Sequence, residues 1–160
     1  MSRTLLPVLP GVAAALALVG CGSGQPAARD VAPVVVSDAT CRPTPVGRQT
    51  TGCYLTLTAP TDDRLTDVAS SVAARAQIHE SRIENNMMIM GHLRDGLPLP
   101  AGQTVTLAPG GTHIMLLAVT EPLRAGDTVD LTLSFATAPA VEIRAAVGQP
   151  PVTTDPEPVH

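Results

Sequence analysis

The chain has 160 residues, enough for one domain once its ends are set aside. Hydrophobic residues make up 44% of it and aromatics 1%, so a core must be built from Val, Leu, Ile and Ala. All ten basic residues are Arg, and a net charge of -4 excludes the basic footprint of a nucleic-acid-binding surface.

The first segment, 1–20, reads as a targeting leader. Arg3 precedes an apolar run from Leu5 to Leu18 that is broken by Pro7, Pro10 and Gly11. That run is too short and interrupted for a transmembrane anchor. It ends in Leu18-Val19-Gly20-Cys21, which resembles the lipobox of bacterial lipoproteins. The resemblance implies cleavage before Cys21, a lipid on that residue and residence on the extracytoplasmic face of the cell membrane. The alternative is an ordinary secretory signal with an incidental Cys. Residues 21–30 then form the lipidated Cys and a flexible tether.

The domain is expected over 31–147. Val31 to Val36 is β-branched and reads as the first strand. A turn-rich stretch, Arg42 to Arg48, lies between Cys41 and Cys53. Outside the cytoplasm these two Cys read first as a disulfide, with a pair of thiolate metal ligands as the alternative. Tyr54 to Thr58 alternates apolar with polar, the pattern of a half-buried strand. Arg64 to Ser70 is a short strand with Leu65 and Val68 inward. Val72 to His79 is helical by composition, but its all-β neighbourhood favours strand for the second half. Asn85-Asn86 signals a turn, and Met87 to Met90 a short strand. Leu97 to Gly102 reads as a loop, and His92 as an exposed loop residue. Strands follow at Thr104–Leu107, His113–Val119, Val129–Phe135 and Val141–Val147. Residues 148–160 are Pro-rich and polar and are expected to be disordered. Many short strands between turn signals argue for an all-β sandwich or barrel.

Chemistry concentrates between His79 and Met115. Met87, Met88, Met90 and Met115 are all the Met residues beyond the first, and His79, His92 and His113 are all the His residues except the last residue, His160. A strand Met more often fills a core, and a lone His is more often structural. Their clustering argues otherwise, because Leu131, Leu133 and Val141 have no such neighbours. Thioether and imidazole together form a soft ligand set that selects Cu(I). Alternation puts His113 and Met115 on one strand face and Met88 and Met90 on another. These could meet as facing surfaces, with His79 added from a third strand.

These residues resemble the PCuAC family of extracytoplasmic copper chaperones. The family signature is a His, ten residues, a Met, about twenty-one residues, then His-X-Met. Here ten residues separate His79 from Met90, twenty-two separate Met90 from His113, and His113-Ile114-Met115 closes the motif. Further similarity lies in Tyr54–Leu57, Asp63–Leu65, Leu107–Gly111 and Leu123–Asp127. The resemblance implies a cupredoxin-like β-sandwich with short antiparallel and mixed strands. It also implies a Cu(I) site of His79, Met90, His113 and Met115, with Met88 as a possible auxiliary ligand. The implied role is a metallochaperone that carries copper toward a respiratory oxidase, with an oxidase subunit or a Sco-type protein as partner. Two alternatives stand beside it: a structural or adhesive lipoprotein whose Met and His only pack, and a cupredoxin electron carrier, which needs a Cys beside the cluster. An enzyme is not expected, since nucleophile-elbow, phosphate-loop and zinc motifs are lacking.

Overall fold

The structure, a computed structural model, describes residues 31–150. The leader expected over 1–20, Cys21 and its tether, and the tail from residue 151 with His160 lie outside the described residues. The described residues form ten strands and no helix. They are β1 (Val35–Cys41), β2 (Thr50–Thr58), β3 (Asp63–Ser70), β4 (Ala73–Glu84), β5 (Met87–His92), β6 (Leu97–Leu99), β7 (Thr104–Leu107), β8 (Thr112–Val119), β9 (Thr128–Phe135) and β10 (Val141–Val147).

The strands run in the order β5-β4-β8-β2-β1-β10-β9-β3-β6, with β7 pairing the second half of β2. The β1–β10 contact is parallel and the remaining pairings are antiparallel. One core joins the two ends of this path. Leu55, Leu57, Ile114 and Leu116 come from one half, and Leu65, Val129, Leu131 and Leu133 from the other. The result is an all-β, cupredoxin-like sandwich with a core of aliphatic residues.

Several local readings change. The first strand begins at Val35 rather than Val31. No part of 72–79 is helical: β4 is a twelve-residue strand, paired to β8 on one side and to β5 on the other. Cross-strand burial of Ile78 overrides the helix propensity of its Ala residues. The expected loop at 97–102 contains β6, an edge strand whose Pro98 sits opposite Arg64. An edge tolerates proline because one side needs no donor. His92 is not in a loop but ends β5. Leu65 and Val68, three residues apart, are both buried. Strict alternation forbids that; a register shift between Leu65 and Asp67 against β9 permits it.

Two features tie the layers together. Cys41 and Cys53 are register partners on β1 and β2, both fully buried and joined in a disulfide. Asp63 accepts backbone N–H bonds from Arg64 at 2.7 Å, Thr137 at 3.0 Å and Ala138 at 2.8 Å, which pins the β9–β10 connection to β3. Partial burial pushes its carboxyl upward, but these donors outweigh that and hold it below the ordinary 3.8.

Cys53→Ser is expected to cost on the order of 3 kcal/mol, read from the urea midpoint, because a short closed loop is released into the unfolded chain. Asp63→Ala is expected to cost about 1–2 kcal/mol near neutral pH. A lowered folded pKa means that this contribution is complete above the unfolded value of about 3.9 and is lost as pH falls through the folded one. Urea melts of the parent and Asp63→Ala should therefore converge in strong acid. A gap that stays constant with pH would refute the carboxylate's role.

Candidate metal centre

Register builds the site. Across β4 and β5, His79 lies opposite His92, Ser81 opposite Met90 and Ile83 opposite Met88. Across β4 and β8, His79 lies opposite His113 and Gln77 opposite Met115. Across β2 and β8, Gly52 faces Met115 and Cys53 faces Ile114. Neighbouring strand residues point to opposite faces. One face of β5, β4 and β8 therefore carries Met88, Met90, His92, His79, His113 and Met115, with Gly52 of β2 beside them. The other face carries Ile78, Ile114, Leu116 and Cys53 into the core.

Alternation in the sequence suggests ligands on facing surfaces. The structure instead gathers them on a single face of one sheet. The turn at Asn85-Asn86 makes this possible. Both residues have positive φ, 49° and 63°, which suits a two-residue hairpin and lays β5 directly against β4.

Met88, Met90, His113 and Met115 line an open cleft of about 420 Å³. Gly52 and Tyr54 form its wall on β2, and Arg42 lies at its margin. The lining contains no carboxylate, and Arg42 is its one formally charged residue. His79 adjoins this cleft through His113, with ring centroids 6.0 Å apart. His92 stacks on the other side of His79, with centroids 5.7 Å apart. Met88 and Met90 are 63% and 50% exposed, whereas His113 is only 5% exposed.

The imidazoles at 79 and 113 are each held by one nitrogen. Nδ1 of His113 is 3.0 Å from the Gly111 carbonyl, which can only accept, so Nδ1 carries the proton and Nε2 keeps its lone pair. Nε2 of His79 is 3.0 Å from the Gln77 side-chain oxygen, which leaves Nδ1 as the lone-pair nitrogen. That Nδ1 is buried and has no hydrogen-bond partner. A buried polar atom without a partner is costly, and a metal ion would satisfy it. The ring's pKa is lowered by burial first, then by the neighbouring His113 and His92. His79 thus favours the neutral form that a metal requires.

Some contributors escaped the sequence reading. Gln77 lies two residues from His79 and shares its face, a signal that alternation could have supplied, whereas Gly52 reaches the site only through the β2–β8 register opposite Met115. A Cβ at Gly52 would lie 2.9 Å from the Tyr54 hydroxyl and 3.9 Å from the His113 ring. Tyr54 is folded over this glycine, 6.3 Å from His113 between ring centroids. The Arg42 guanidinium lies over the tyrosine ring, 5.6 Å from its centroid. Cys41 and Cys53 take no part in the cleft.

The domain resembles several solved structures. It aligns with the copper-bound PCuAC domain from PmoF2 at TM-score 0.61 and 28% identity, covering 75% of this chain and 96% of that one. It aligns with the apo PCuAC domain from PmoF1 at 0.62 and 28%, covering 76% and 98%. With apo-DR1885 from Deinococcus radiodurans the values are 0.55 and 28%, covering 92% and 95%. The fold is thus that of a PCuAC-type β domain. Residues 34–147 match the family profile described as "Putative lipoprotein LpqE-like", and the chain belongs to this LpqE-like family of PCuAC type. "Putative lipoprotein Lxx21020" from Leifsonia xyli subsp. xyli (strain CTCB07) is 44% identical over 66 residues, which is 41% of this chain. The match spans 40% of that curated relative.

Gly52→Ala should displace the Tyr54 ring and lower stability by about 1–3 kcal/mol, as overpacking does. Tyr54 is the sole tyrosine and the chain has no tryptophan, so the tyrosine band of the near-UV dichroism, set apart from the phenylalanine and disulfide bands, reports on this one ring. An unchanged spectrum would show that the cleft wall is not packed in this way.

Proposed function

We propose that this chain is a copper chaperone that takes up one Cu(I) through His79, Met90, His113 and Met115, with Met88 as an auxiliary ligand. The observation that carries the reading is the pair of neighbouring-strand imidazoles. Each is tethered through one nitrogen and keeps a lone pair on the other, on the face that bears the thioethers. A metal-bound His is commonly oriented by such a second hydrogen bond. Further support comes from the likeness to a copper-bound PCuAC domain and to CuI-DR1885, the latter at TM-score 0.55 and 28% identity.

The chemistry suits carriage rather than catalysis. Two imidazoles and two thioethers are neutral, so a bound Cu(I) keeps its charge and no carboxylate hardens the site. Buried His113 and half-buried Met115 give the firm half of the ligand set, and exposed Met90 gives the half that an acceptor can replace. In this reading Cys21 carries lipid, 21–30 is a tether and 31–147 is the delivery domain; the described chain runs on past it, with Gly148 N–H donating to the Cys41 carbonyl at 2.8 Å. The protein would work on the extracytoplasmic side of the membrane, and its recipient would be a copper centre of a respiratory oxidase, directly or through a Sco-type protein.

The two competing readings meet specific obstacles. Methionines that merely fill a core should be buried, yet Met87, Met88 and Met90 are all at least half exposed. An electron carrier of the blue-copper type needs a thiolate at the metal, yet Cys53 points to the opposite face and is bonded to Cys41.

The test is an anaerobic Cu(I) titration in competition with a chromogenic chelator. One equivalent should bind, and the His113→Ala/Met115→Ala double variant should lose about two orders of magnitude in affinity, or about 2.7 kcal/mol. A parent that never competes, or a double variant that binds like it, would overturn the assignment.

A further inference from the structure

We propose that His92 forms, with His79 and His113, a second metal set made only of imidazoles, which takes a divalent ion of borderline softness, Cu(II) foremost. The three residues stand in one row across β5, β4 and β8, because His79 is the register partner of both others. Each step of that row is one strand spacing, about 4.8 Å, and all three side chains share a face. The ring centroids are 5.7 Å apart on one side of His79 and 6.0 Å on the other.

The donor atoms fit. Nδ1 of His79 is buried without a partner, and Nε2 of His113 is left free by the bond from Nδ1 to Gly111. His92 is exposed at the end of an edge strand. No three His, Cys, Asp or Glu side chains converge on one point among the described residues. The ion must therefore gather the row by turning the His92 ring out of its stack, and exposure leaves that ring room to turn. Water completes the coordination.

The chemistry separates the two sets. Thioethers favour Cu(I), whereas imidazole suits Cu(II) and Zn(II), and Cu(II) binds nitrogen sites most tightly among the divalent ions of its row. His92 and Met90 are two residues apart on the same face of β5. The imidazole row spans the same three strands as the thioether set, with His92 in place of Met90 and Met115. The face thus retains copper that arrives in either oxidation state, with His79 and His113 common to both sets. The proposal builds on the ligand face described above but does not require that Cu(I) be the cargo.

The experiment uses the full chain and two ions. With Cu(II) added in air, His92→Ala should bind at least about tenfold more weakly than the parent in competition with glycine, and its electron paramagnetic resonance spectrum should lose one nitrogen coupling. Under anaerobic conditions its Cu(I) affinity should stay within about threefold of the parent. Met90→Leu should show the converse, and His160→Ala should behave as the parent with both ions. Thermal unfolding of the copper-free His92→Ala protein should be unchanged. Unchanged Cu(II) affinity and spectrum in His92→Ala would overturn the proposal, as would loss of Cu(II) binding in His160→Ala. Cu(II) binding that depends on His92 in a protein that takes no Cu(I) would instead sink the chaperone reading and leave this one standing.

Discussion

The register of β8 governs the rest of the molecule. Its Ile114 pairs with Ile78 on one side and Cys53 on the other, and all three are buried in the core. Given that, His113 and Met115 must emerge on the outer face. A slip by one residue would send the His and Met inward and expose Ile114 and Leu116. The cost of exposing two large aliphatic side chains, about 1.5–3 kcal/mol each, excludes that alternative. The candidate site is therefore a by-product of core packing: the same two pairings that bury the isoleucines line up the imidazoles.

The disulfide supports this arrangement from behind. It joins β1 to β2 at register partners, directly on the core side of the strand that carries Gly52 and Tyr54. Alternation puts Cys53 inward and its neighbours outward, so the bond holds the cleft wall without entering the cleft. Arg42 follows Cys41 immediately, and its guanidinium covers the Tyr54 ring. A domain with one tyrosine and one phenylalanine has few large side chains with which to stiffen such a wall. A covalent link beneath it does so from within the core, where both cysteines are fully buried.

Legibility in the sequence followed the strength of the period. Val129 to Phe135 alternates cleanly and His113 to Val119 is an almost continuous apolar run, and each is a strand close to its expected bounds; Tyr54 to Thr58 alternates too, but its strand already starts at Thr50. The Ala-rich stretch at 73–79 was ambiguous because alanine suits both helix and strand, and only pairing with β8 decides it. Leu65 and Val68 both face inward, and the bulge that reconciles them with alternation, an extra residue at Thr66 of β3, shows only in the pairing with β9. Within the candidate site, the His and Met types and their spacing were visible. Which strands would become neighbours was not, because register across β4, β5 and β8 depends on contacts far apart in the chain. For that reason alternation alone suggests opposed surfaces for the ligands and a loop for His92, which instead sits opposite His79.

The β4–β5 hairpin shows what the fold forgoes to present this face. Ile83 and Met88 on this face are each more than 60% exposed and Met90 is half exposed, while Met87, opposite Glu84, is equally exposed on the other face. Each could have stabilised the domain by about 1.5–3 kcal/mol had it been buried. On its opposite face the hairpin carries Arg82 between Glu80 and Glu84, exposed ion pairs that add little stability. An apolar edge strand also invites unwanted pairing with other chains, and proteins ordinarily blunt such edges with charge. β5 itself has no charged residue from Met87 to Gly91, and only His92 closes it. Neither core packing nor solubility accounts for a strand of this composition at the sheet edge. Soft donors held where another molecule can reach them do account for it, and in the proposed function that reach is what allows copper to leave as well as to bind.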